Sequence, residues 1–202
     1  MATKPYEIIA APFEVYVAPV GEAVPLIDAT PAANWVKLGT SGDRNMSEDG
    51  VTVTHEQTIE TDSFRTLGST GPVKAVRTKE DLRISFTLLD LTLEEYARIL
   101  NGNTVSETTP SAGVAGFKEV DLYRGLSVTE YALVIRGAGP YGDGWDMQYE
   151  IPKAVLTSSP TTVFQKGAPA GLEFEFIAIE DSDAAGASKR FGRLLAMNAD
   201  QV

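Results

Sequence analysis

The chain has 202 residues, and 28 Asp and Glu outweigh 17 Lys and Arg for a net charge of −11. That length suits one domain with a single core, and that charge is a poor match to the phosphates of a nucleic-acid duplex. There is no cysteine and one histidine, His55, which excludes disulfides and thiolate metal sites and argues against His-based metal or triad chemistry.

Residues 1–12 are punctuated by Pro5 and interrupted by Glu7, which predicts an arm rather than a signal peptide. With no apolar run of membrane-spanning length, the chain is expected to be soluble and made in a cytoplasm. Phe13, Val15 and Val17 alternate with Glu14 and Tyr16, a first strand ended by Pro19. Residues 20–33 form a Pro/Ala-rich loop, and Trp35 to Leu38 begins a second strand ended by Gly39. The tract 42–71 is long and polar. Within it Val51 to Ile59 alternates, but neither face is strongly apolar, so this strand belongs at an edge or against solvent.

The stretch Pro72–Gly102 organises the rest. Its pattern predicts a short strand at Val73–Val76, a charged turn at Lys79, Glu80 and Asp81, and a strand at Leu82–Leu88 with Leu82, Ile84, Phe86 and Leu88 on one face. Thr92 then predicts a helix N-cap, with Glu95 completing a capping box and Gly102 past the C-terminus. Leu93, Tyr96, Ala97 and Leu100 recur at helical spacing and are the expected helix core, packed on the Leu82–Leu88 sheet.

Residues 103–116 read as loop and 117–123 as a weak strand. Tyr131–Arg136 is a nearly continuous apolar run, a buried strand. Residues 137–144 form a turn, and Trp145–Ile151 alternates until Pro152 breaks it, with Ala154–Leu156 resuming. Leu172, Phe174, Phe176 and Ala178 mark a final core strand, and residues 184–202 are a second arm with a basic patch at Lys189, Arg190 and Arg193. About seven short strands and one helix predict a mainly β fold, a β-sandwich or barrel with one packed helix.

The chemical candidates are weak. Gly137, Gly139 and Gly142 spell G-x-G-x-x-G after a strand, but no helix follows, so the context is a hairpin rather than a dinucleotide site. Glu173 and Glu175 share one strand face about 7 Å apart, a carboxylate spacing compatible with glycoside hydrolysis but also with a solvated face. Asp181-Ser182-Asp183 lacks the remainder of a calcium loop, Asn45-Met46-Ser47 is a chance sequon, and His55 has no nucleophile to serve. The expectation is a protein that is not an enzyme, with no cofactor and no metal. What stands out is charge order. Six acids and one base occupy 42–62, five bases and two acids 65–83, and eight acids and two lysines 140–183. The first two tracts are either solvated hairpin arms or complementary faces of a self-assembling surface.

The order of features resembles the major tail (tail tube) proteins of long-tailed bacteriophages. The resemblance rests on W-x-x-L-G at Trp35–Gly39, D-G-V at Asp49–Val51, P-V-K-A at Pro72–Ala75 and a strand-to-helix unit ending L-N-G at Gly102. It continues in I-P-K-A-V-L at Ile151–Leu156 and K-G-x-P-x-x-L-x-x-E-F at Lys166–Phe176. It covers most of residues 13–180, while the loops at 20–33 and 103–116 have no counterpart. It implies hexameric rings of this chain stacked into a virion tail tube that conducts DNA without binding it specifically. It also implies tape-measure, terminator and distal tail proteins as further partners, and no membrane. On that resemblance the acids Glu48, Asp49, Glu56 and Glu60 of one ring meet Arg65, Lys74, Arg77 and Lys79 of the next, Glu173 and Glu175 are candidates to face the lumen, and both arms order on assembly. The alternatives are a type VI secretion-like tube, a carbohydrate- or host-recognition β-sandwich, and a glycosidase using Glu173 or Glu175.

Overall fold

The computed structural model describes residues 13–32, 34–39, 46–47, 49–61, 66–68, 70–89, 91–137, 147–159, 161–167 and 170–196. The expected N-terminal arm, Glu48, Arg65, Gly139, Gly142 and Trp145 lie outside them. The fold is mainly β, one large antiparallel sheet with a single helix, the arrangement of a β-sandwich.

The strands of the large sheet are β1 (Phe13–Pro19), β2 (Val36–Lys37), β3 (Thr52–Glu60), β4 (Val76–Leu88), β7 (Glu130–Gly137), β8 (Met147–Leu156), β9 (Leu172–Ala178) and β10 (Arg193–Ala196). Their order is β2-β1-β7-β8-β9-β4-β3, with β10 paired to β8. A small hairpin, β5 (Val105–Thr108) with β6 (Phe117–Val120), stands beside the helix α1 (Leu93–Ile99). Thus β5 and β6 occupy much of the stretch expected to be loop or weak strand.

Period-two patterning builds the core. Ile84 pairs with Phe176 and Phe86 with Phe174 across β4 and β9. The rings of Phe86 and Phe174 stack at 5.2 Å, and Tyr131 meets Phe176 edge-on at 6.3 Å. These side chains join Val15, Val17, Leu133, Ile135 and Ile151 in one cluster. β7 is buried on both faces: Ala132 and Val134 pack on its far side with Ala18 and Trp35. This is why its sequence is apolar without alternation.

Four expectations are corrected. First, Lys79–Asp81 is not a turn. β4 runs unbroken for 13 residues, and Asp81 pairs with Glu56 of β3. A charged run reads alike in a turn and in a two-stranded ribbon with solvent on both faces, and Val76–Glu80 are all exposed. The tract 42–71 therefore contains a nine-residue strand rather than being a loop throughout. Second, Pro152 does not break β8. Tyr131 pairs with Ala154 and Leu133 with Ile151, so a bulge opposite Ala132 absorbs Pro152 and Lys153. There β8 also changes partner, from β10 at Met147–Glu150 to β9 at Ala154–Leu156.

Third, Leu93 is not helix core; it is 36 % exposed, whereas Ala97, Ile99 and Leu100 are buried and Tyr96 is half-buried against the core. Thr92 does cap the helix, its Oγ1 accepting the Glu95 N–H at 3.2 Å. The Glu95 side chain, however, turns inward, where Oε1 accepts the Gly39 N–H at 3.2 Å. That bond ties the first turn to the end of β2 and sets the buried face one step round from the predicted stripe. Fourth, residues 184–196 are not a free arm. They fold back through a 3-10 turn (Ala187–Lys189) into β10, with Phe191 packed on the core.

Candidate functional site

The described surface offers a projecting ribbon, a covered polar row, an apolar loop and a groove. The ribbon is the outer part of β3 and β4. β9 accompanies β4 only over Arg83–Leu88, so β4 from Val76 to Leu82 is supported by β3 alone. Arg83 stands at its root. Its guanidinium meets Glu175 at 2.9 Å, Glu56 at 3.6 Å and Asp81 at 3.7 Å. The hydrogen bond to Glu175 chiefly raises the pKa of Arg83, and Glu56 and Asp81 add to it. Asp81, bonded to Lys79 at 2.5 Å, is held below its ordinary value by that bond first and by Arg83. Further out, Arg77 donates to Gln57 at 3.0 Å and to Glu80 at 3.3 Å.

The acidic and basic tracts of the sequence are thus the two strands of one hairpin. The structure brings Glu56, Glu60, Arg77 and Lys79 together in the ribbon, with Lys74 just before β4 and Asp49 just before β3. Glu173 and Glu175 do share the outer face of β9, opposite Thr87 and Ser85. Glu175 is engaged by Arg83, while Glu173 is exposed. Asp181 accepts the Asp183 N–H at 3.0 Å, a local turn. Among the described residues no group of three or more His, Cys, Asp or Glu is placed to hold a metal ion, and no helix is long and apolar enough to cross a membrane.

The polar row lies on the outer face of β7 and β8, beneath the 20–32 loop. Arg136 donates to the carbonyls of Ala29 (2.7 Å) and Leu26 (2.8 Å) and to Gln148 (Nε, 2.9 Å). Gln148, fully buried, donates to the Pro25 carbonyl at 3.0 Å and to Glu150 at 2.9 Å, and Glu150 also takes Arg193 of β10. On β1 and β2 the row continues with Glu14, bonded to Tyr16 at 2.6 Å and to Lys37. Burial pushes the Glu14 carboxyl up, but the bonds from Lys37 and Tyr16 together outweigh it and leave the value lowered. These groups satisfy one another, which marks the row as a device for sealing the loop rather than for turnover. Its trace in the sequence was Gln148 and Glu150 alternating with Tyr149 and Ile151, a polar face that the flanking strands gave no reason to bury.

The apolar loop follows β6. Asn101, at φ 73°, donates to the carbonyls of Arg124 (3.0 Å) and Ser127 (2.8 Å) and accepts the Thr129 N–H at 2.6 Å. Asn103 donates to Asp121 (2.5 Å) and Tyr123 (3.0 Å). The backbone is pinned while Leu122, Tyr123 and Leu126 point outward. Arg98 and Arg124 line a cleft beside the loop, together with Thr129 and Tyr131. The groove, of about 310 Å³, lies between the ribbon root and the C-terminal segment and is lined by His55, Leu82, Tyr149, Phe191 and Leu194. His55 is therefore a groove residue, opposite Leu82 in the β3–β4 ladder.

Searches against protein families and curated proteins find no matching family model and no matching protein.

Proposed function

We propose that this chain is a non-enzymatic structural subunit that assembles with copies of itself, as stacked hexameric rings, into a phage tail tube through which DNA passes. The observation that carries this reading is the β3–β4 ribbon. It projects past its own sheet, is solvated on both faces, and is braced at its root by Arg83. A two-stranded ribbon is at best marginally stable alone, so an arm of this length makes sense as an element that a neighbour completes. The order of motifs from Trp35 to Phe176 supports the same reading, and so does the net charge of −11, because an acidic wall repels a phosphate cargo. Within the reading, Glu56 and Glu60 face the next ring, tape-measure, terminator and distal tail proteins are the further partners, and the virion tail is the location.

Negative-stain microscopy of purified protein over a concentration series tests it. Rings of six or stacked tubes are expected. A monomer that persists at high concentration in physiological salt, with or without preformed tail ends as seeds, overturns the reading.

A further inference from the structure

The apolar loop and the groove fit each other as knob and socket. Leu122, Tyr123 and Leu126 are 68, 78 and 98 % exposed on a backbone held by five hydrogen bonds from Asn101 and Asn103. Large apolar groups on a pinned backbone lose little freedom on binding, which is how interface anchors are built. The socket offers the matching surface, with Leu82, Tyr149 and Leu194 in its lining. The charges match as well. The cleft beside the knob is lined by Arg98 and Arg124 and by no carboxylate, and Arg124 has no carboxylate partner among the described residues. The acids Glu80, Asp81 and Glu180 line the extension of the socket, against Arg190.

The two surfaces lie at opposite ends of one strand pair. The knob leads into β7 at Glu130, opposite Val155, whereas the socket adjoins the other end, where Gly137 pairs with Met147. Eight residues of β7 separate them by about 24 Å, so one chain cannot fill its own socket. We propose that the Leu122–Leu126 knob of one copy seats in the Leu82–Tyr149–Leu194 socket of a second copy, head to tail. Such a contact is heterologous and repeats without limit unless it closes into a ring. The inference rests on the self-assembly reading and names a contact for it.

Complementation tests it. Leu126→Asp removes the knob and Leu194→Asp the socket; both side chains are substantially exposed, so each variant folds, which circular dichroism checks. Each variant alone should associate about 30-fold more weakly than the unaltered chain, as loss of an interface anchor predicts. An equimolar mixture should give a complex of two chains that does not grow, because each variant retains one good surface. Tubes that form normally from either variant would overturn the inference and leave the tube reading intact. Head-to-tail pairs from an unaltered chain that makes no rings would do the reverse. A mixed complex that appears only after residues 1–12 are deleted would assign the socket to the chain's own N-terminal segment and overturn the inference.

Discussion

Gly192 sits at the turn into β10 with φ 111°, and a Cβ there would lie 2.0 Å from the carbonyl oxygen of Glu150 and 3.1 Å from the Cα of Ile151. Both are backbone atoms of β8, so no side chain can swing aside. Ordinary van der Waals contact begins at 3.4 Å, so Gly192→Ala must open the β8–β10 gap by about 1.4 Å. A ladder hydrogen bond of about 2.9 Å then becomes about 4.3 Å and is lost. Four paired residues contribute about 2–6 kcal/mol from about four net hydrogen bonds, and ordering the segment costs a similar sum in chain entropy. The docked segment is therefore near balance, and a backbone strain of about 1–3 kcal/mol tips it. The expected result is local release: the amides of Leu194 and Leu195 lose hydrogen-exchange protection while those of Leu133 and Phe174 keep theirs. The Leu194 side of the groove goes with them. Unchanged protection at Leu194 and Leu195 would refute the reasoning.

Leu100→Ala should cost about 2–5 kcal/mol as a buried truncation, whereas Leu93→Ala, at a largely exposed position, should cost under about 1 kcal/mol; paired urea unfolding curves check the contrast, and equal losses would put the helix face back where the sequence pattern places it. The Tyr16 hydroxyl is pushed up to about 12, first by burial and then by its bond to Glu14, from an ordinary 10.0. The unfolded chain thus ionises Tyr16 first, and the stability this difference gives is present below pH 10 and lost as the pH rises toward 12. Tyr16→Phe should flatten the loss of stability with pH over that range; an unchanged slope in alkaline melts would show that Tyr16 is not protected.

Most of the sheet was legible because its faces differ. β9 and the inner half of β4 alternate cleanly, and each turned up as read. The helix was legible from Thr92, yet its rotation was not, because Glu95 fits a capping box and a buried hydrogen bond to Gly39 equally well. The ribbon was half legible: Val51–Ile59 announced a strand with two polar faces, but Lys79–Asp81 looked like the end of its partner. Pro152 misled for a tertiary reason, since a bulge opposite Ala132 is not visible in local pattern. The knob left almost no trace, because its rigidity comes from Asn101 and Asn103, some 20 residues away, and amide side chains at a helix C-terminus ordinarily signal only a stop.

The sealed polar row also bears on how the chain reaches this structure. Arg136 meets the carbonyl of Ala29 across 107 residues, and Gln148 meets that of Pro25 across 123. Closing such loops is a late and entropically costly event. The 20–32 segment emerges early from a ribosome, yet its acceptors have nothing to bind until β7 and β8 exist. Trp35 and Val134, which that segment helps to cover, then stay open to solvent for most of synthesis. The step that locks this face is therefore the natural place for folding to pause, and for a subunit to become competent only once it is whole.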